Sequence, residues 1–156
     1  QVKNFGVSAR TMMNKGDLPY MNELAWRDAQ AFNPNIVIIK LGTNDSKTHN
    51  WAHGADEYRQ SMQAMIDTLK ALPSKPKIYL CSPIPAFKDS WTISDSVIVN
   101  GEMPIIKKLA KKNKCQFIDL HTSYTYGDMM LKDGIHPNAK GAAKMADIIF
   151  DAIEKK

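Results

Sequence analysis

Residues 36–41, Ile36-Val37-Ile38-Ile39-Lys40-Leu41, run directly into Gly42-Thr43-Asn44-Asp45-Ser46. The first six are β-branched or apolar at five positions, and a glycine stops them. A short run that is apolar on both faces of the pleat reads as a strand covered on both sides, as in a parallel sheet between helices. Working outward, residues 77–81 (KIYLC) and 116–120 (QFIDL) give two further strands, and residues 2–7 (VKNFGV) a shorter strand candidate. Helices are expected over 22–32, 55–72, 97–112 and 137–154. The second of these carries Tyr58, Met62, Met65, Ile66 and Leu69 along one face, with the methionines as core filling. Pro137 suits the first turn of the last helix. Strands alternating with helices predict an α/β/α sandwich around a parallel sheet.

In such sheets a ligand binds beyond the carboxyl ends of the strands. That rule selects the loops 8–17, 42–53 and 82–96, which 124–136 can join. Trp51 and Trp91 fall in these loops. A tryptophan there can stack on a sugar, although half-burial beneath a loop is the commoner placement. His49 and His53 are four apart, but no third ligand stands at a suitable spacing, so neither a metal ion nor a cofactor is called for.

Composition narrows the class. The 156 residues are 44% hydrophobic and 24% charged, ordinary values for one globular domain. The net charge of +5 comes from scattered lysines without an aromatic-rich basic motif, which argues against nucleic acid as a partner. No apolar run is long enough to span a membrane. Cys81 and Cys115 read as two free thiols near strands.

Three polar stretches can carry chemistry. In Asp133-Gly134-Ile135-His136-Pro137-Asn138, a turn at Gly134 lets the carboxylate meet the imidazole, fixing its tautomer and stabilising the imidazolium. In Gly42-Thr43-Asn44-Asp45-Ser46, the Asn44 amide can donate to a developing oxyanion. In Asn4-Phe5-Gly6-Val7-Ser8-Ala9-Arg10-Thr11, a backbone N–H can add a second donor. Each alone is equally an ordinary turn.

Taken in order, NFGVSART, IKLGTNDS and DGIHPNAKG resemble blocks II, III and V of the SGNH/GDSL hydrolases, over nearly the whole chain. The likeness is greatest to bacterial members that deacetylate sugars. The resemblance implies a flavodoxin-like α/β fold and a serine esterase acting on short acyl, mainly acetyl, esters of carbohydrates. It implies His136 as general base, Asp133 as its orienting partner, and Asn44 as a side-chain oxyanion donor. Ala9 stands where the family has a glycine that donates through its backbone N–H. The block I strand, which ends in Gly-Asp-Ser and bears the nucleophile, has no counterpart. Ser46 belongs to block III, and Ser8 is a poor substitute.

The chain is therefore expected to be a single SGNH-like domain over 1–156 that is incomplete at its N-terminus, with little activity alone. A fragment of a longer protein, a strand from a second chain, or altered pairing across a dimer would restore the sheet; the first is favoured. Action on glycans would suit a secreted or periplasmic site. The rival readings are a sugar-binding protein without turnover and a flavodoxin-like nucleotide or flavin binder, the latter lacking a phosphate loop.

Overall fold

The computed structural model describes residues 1–124 and 128–154. Three strands, β1 (Ile36–Ile39), β2 (Lys77–Cys81) and β3 (Gln116–Ile118), form one parallel sheet in the order β1-β2-β3. Ile36 lies beside Lys77 and Ile38 beside Tyr79; Tyr79 in turn lies beside Gln116. The helices are α1 (Leu24–Ala31), α2 (Thr48–Trp51), α3 (Ala55–Lys70), α4 (Asp95–Val97), α5 (Met103–Asn113) and α6 (Ala139–Glu154). A π-turn, Ile98–Glu102, joins α4 to α5.

Alternation along the strands sorts their side chains into two cores. Ile39, Ile78 and Leu80 pack with Met62, Met65, Ile66 and Leu69 of α3 and with Ile106 and Leu109 of α5. Tyr79, Cys81 and Ile118 face the other way, onto Met145, Ile148 and Ile149 of α6. The architecture is thus three-layered, as the sequence predicts, and Met62 and Met65 fill the core. Cys81 and Cys115 are free thiols. No helix among the described residues is long and apolar enough to cross a membrane.

Two local expectations change. Residues 2–7 form no strand; Val2 is 99% exposed. An extended segment becomes a strand only when a neighbouring strand takes up its N–H and C=O groups; here side chains do so instead, the Phe5 carbonyl accepting from the Tyr20 hydroxyl at 2.9 Å and the Gly6 N–H donating to Asn4 Oδ1 at 2.8 Å. Secondly, Pro137 lies just outside α6, in an isolated bridge with Met130. The helix is capped instead by Asn138, whose Oδ1 accepts the Gly141 N–H at 3.0 Å.

The edge of β1 away from β2 is open among the described residues. Ile36 and Ile38 on that strand are 46% and 42% exposed, on the face that α6 covers further along the sheet. An unpaired edge flanked by exposed apolar side chains can accept a further strand.

Candidate active site

The loops that follow β1 and precede α6 meet at the carboxyl rim of the sheet. Ala9, Asn44 and His136 line one cavity of about 410 Å³, together with Lys40, Lys47 and Trp91. Asp133 stands behind His136. Of the segment 124–136, residues 125–127 lie outside the described residues.

The Asp133-Gly134-Ile135-His136 turn closes on itself. Asp133 Oδ1 accepts the N–H groups of Ile135 and His136, both at 2.8 Å. Its Oδ2 lies 3.1 Å from His136 Nδ1. The backbone N–H of His136, then that of Ile135, holds the Asp133 carboxyl below its ordinary range, so it is a carboxylate at neutral pH. The carboxylate fixes the proton on Nδ1 and leaves Nε2 as the basic nitrogen. Gly134 adopts φ +70°, and a β-carbon there would lie 2.8 Å from the Lys88 side chain. The Phe87 N–H bonds the Gly134 carbonyl at 2.9 Å, tying this turn to the 82–96 loop.

Asn44 is oriented from two sides. Its Nδ2 donates to the Arg10 carbonyl at 3.2 Å, and its backbone carbonyl accepts from Asn50 Nδ2 at 2.8 Å. One amide hydrogen is thus committed and the other is available to a ligand. Asp45 sits beneath, fully buried. Its two carboxylate oxygens accept the N–H groups of Met12 and Met13 at 2.9 and 2.7 Å. This clamp joins the 8–17 loop to the 42–53 loop. Burial pushes the Asp45 carboxyl up to about 7, against the pull of those two bonds.

Ala9 adopts φ +65°, the left-handed region that favours glycine. Ser46 is fully buried; its hydroxyl donates to the Thr43 carbonyl at 2.8 Å and accepts from Ser94 N–H at 3.2 Å. Ser8 is exposed, and its carbonyl accepts from Arg10 Nη1 at 3.0 Å. Among the described residues no hydroxyl is bonded to His136 Nε2.

The surroundings of Glu102 and Lys40 carry no mark in the sequence. Glu102 is fully buried in the π-turn, with neither carboxyl oxygen hydrogen-bonded. Burial, and next the charge of Asp45, hold its carboxyl well above the ordinary range, so it is neutral. It lies against Gly42, at φ +136°, where a β-carbon would come within 2.4 Å of Glu102 Oε2. Burial also lowers the Lys40 ammonium. His49 bonds Asp17 at 3.0 Å rather than facing His53. Asp119 caps a turn through the Thr122 N–H at 2.9 Å. Trp51 packs on Tyr58 at 5.9 Å, whereas Trp91 stands in the cavity. The order of residues does not reveal which tryptophan folds inward, because distant neighbours decide it.

Comparison with known proteins agrees with this geometry. The model of the GDSL-like Lipase/Acylhydrolase family matches residues 1–144. An acetylxylan esterase of Xylanibacter ruminicola is 54% identical over 98% of this chain and 35% of its own length. A multidomain esterase of Ruminococcus flavefaciens is 26% identical over 79% of the chain and 16% of its own length. The chain thus spans about a third or less of these curated relatives. Among solved structures, the acetyl xylan esterase AlAXEase superposes with a TM-score of 0.73 at 25% identity, over 95% of this chain and 78% of that one. Est24, a carbohydrate acetylesterase from Sinorhizobium meliloti, shares the fold with a TM-score of 0.75 at 22% identity, over 95% of this chain and 75% of that one. This chain belongs to the GDSL-like lipase/acylhydrolase family.

Proposed function

We propose that the chain supplies the acid–base and oxyanion parts of a serine esterase that removes acetyl groups from carbohydrates. One observation carries the reading: Asn44 and His136, 92 positions apart by their numbering, line the same cavity, with the Asp133 carboxylate on His136 Nδ1. In this mechanism a serine hydroxyl attacks the acetyl carbonyl while His136 Nε2 takes its proton. The free Asn44 amide hydrogen and the Ala9 N–H donate to the tetrahedral oxyanion. Collapse releases the sugar hydroxyl, which takes the proton back from His136. Water, activated in the same way, then frees acetate from the serine. Neither step requires a metal or a cofactor.

The serine comes from a strand ending in Gly-Asp-Ser that pairs with the open edge of β1, between it and residues 2–7, and belongs to the same polypeptide. The exposure of Ile36 and Ile38 supports this, as does the fifth or so of the solved acetyl xylan esterase that the chain does not cover. The sheet is then complete only with that strand. The substrate class follows the names of the relatives, an acetylxylan esterase above all.

The test compares hydrolysis of p-nitrophenyl acetate by residues 1–156 and by the product of the full coding sequence. The short chain is expected near background and the longer product active, with His136→Ala abolishing the difference. Robust, His136-dependent hydrolysis by the short chain would refute the external nucleophile. Glycan binding without turnover in the longer product, undiminished by His136→Ala, would favour a sugar-binding protein instead.

A further inference from the structure

The chain has three tryptophans, and the fold treats them differently. Trp26 is buried. Trp51 packs on Tyr58 and so closely over Gly101 that a β-carbon there would come within 2.4 Å of its ring. Trp91 alone is open, 59% exposed, at the wall of the cavity that holds Asn44 and His136.

Its backbone is held in an unfavourable shape. Trp91 has φ +55° and ψ +31°, and Thr92 follows with φ +61°. Two consecutive side chains with a β-carbon in the left-handed region are rare, and a β-branched one there is an outlier. Such strain persists only where surrounding contacts impose it. The contacts are present on both flanks. The Ser90 hydroxyl donates to the Asp133 carbonyl at 2.9 Å, fastening the loop to the turn of His136. The Ser94 N–H bonds Ser46 Oγ at 3.2 Å, fastening it to the Asn44 loop. Ile93, between them, is buried. The indole meets the His136 ring edge to face, with centroids 5.7 Å apart and planes at 73°.

The loop therefore strains its backbone to keep a large apolar ring in water, at a fixed distance from the imidazole. The edge contact with His136 offsets only part of that cost, so a ligand is the simplest beneficiary. The apolar C–H face of a pyranose matches an indole face, whose negative potential attracts C–H dipoles. We propose that Trp91 is the stacking platform for the sugar ring that carries the ester, and so sets specificity for cyclic carbohydrate esters over acyclic ones. This deepens the reading of the substrate as an acetylated carbohydrate and rests on it.

Calorimetric titration of the full coding-sequence product with xylotetraose, which carries no ester and so is not turned over, tests the proposal. Trp91→Ala should weaken binding roughly ten-fold or more, and Trp91→Phe by only about three-fold, because a smaller aromatic face remains. Trp91→Gly should bind as weakly as the alanine variant yet melt at a higher temperature than the wild type, since it relieves the left-handed strain; a merely structural tryptophan would do the opposite. For the full coding-sequence product, Trp91→Ala should lower kcat/KM several-fold more on acetylated xylotetraose than on the ring-free ester triacetin, whereas a general disturbance of His136 would lower both alike. Equal sugar binding by wild type and Trp91→Ala overturns the platform and leaves the carbohydrate reading standing. Triacetin hydrolysis by a wild type that has no affinity for the sugar overturns both.

Discussion

Asn44 reaches back across the cavity floor to donate its Nδ2 to the carbonyl of Arg10 at 3.2 Å. The bond links the loop after β1 to the loop that carries Ala9. It also fixes where the second amide hydrogen points, which is the preorganisation that the proposed oxyanion role calls for. In the full coding-sequence product, Asn44→Asp keeps the size of the side chain but removes both donor hydrogens. It should lower kcat by roughly 100- to 1000-fold with little change in KM. Steady-state kinetics on an acetyl ester checks this; a loss confined to KM would remove Asn44 from transition-state stabilisation.

Asp45 clamps the same two loops from below through the N–H groups of Met12 and Met13. Asp45→Ala strands two buried donors and opens a small void. A cost of about 2–4 kcal/mol is expected in urea unfolding. Unfolding that matches wild type would mean the clamp does not hold the loops together.

Ala9 carries a β-carbon at φ +65°. Ala9→Gly removes the steric penalty, partly offset by the freer unfolded chain, for a net gain of roughly 0.5–1 kcal/mol. For a chain of this size the melting temperature should rise by about 1–4 °C. Activity should be kept or improved, because the N–H stays in place. The converse position is Gly42, where alanine would run into Glu102 and Tyr58. Gly42→Ala should cost about 2–4 kcal/mol by calorimetry, since buried neighbours must move.

Glu102 and Asp45 shape the pH dependence. Both carboxyls are raised in the folded state, from 4.5 for Glu102 and from 3.8 to about 7 for Asp45. Below those starting values both are protonated folded or unfolded, and no penalty arises. As pH climbs, the unfolded chain releases protons that the folded chain retains, so stability falls, by at most about 1.4 kcal/mol per pH unit for each group. Asp133 acts in the opposite sense: its lowered value contributes stability that is lost in acid. Urea unfolding between about pH 5 and 8 should therefore show declining stability in the wild type and a flatter profile in Glu102→Gln. Identical slopes would mean that Glu102 ionises in the fold as readily as in the unfolded chain.

The sequence made the sheet and the two site turns legible for a local reason. The run Ile36–Ile39, the apolar face of α3 and the Asp133-x-x-His136 turn are each specified by near neighbours. Residues 2–7 have strand-like composition, yet a strand exists only with a partner, which composition cannot supply. The Asp45 clamp, the neutral Glu102 behind Gly42 and the outward Trp91 were not legible. Each depends on contacts between segments tens of residues apart, and asparagine, aspartate and glycine after a strand look alike whether they close a turn or line a site.

The central claim is that His136, Asp133 and Asn44 serve a serine outside residues 1–156. Mass spectrometry after reaction of the full coding-sequence product with a fluorophosphonate serine probe tests it most directly. One label is expected, on the serine of a Gly-Asp-Ser segment, and His136→Ala should abolish it. A label on Ser8 or Ser46, or labelling that survives loss of His136, would contradict the account.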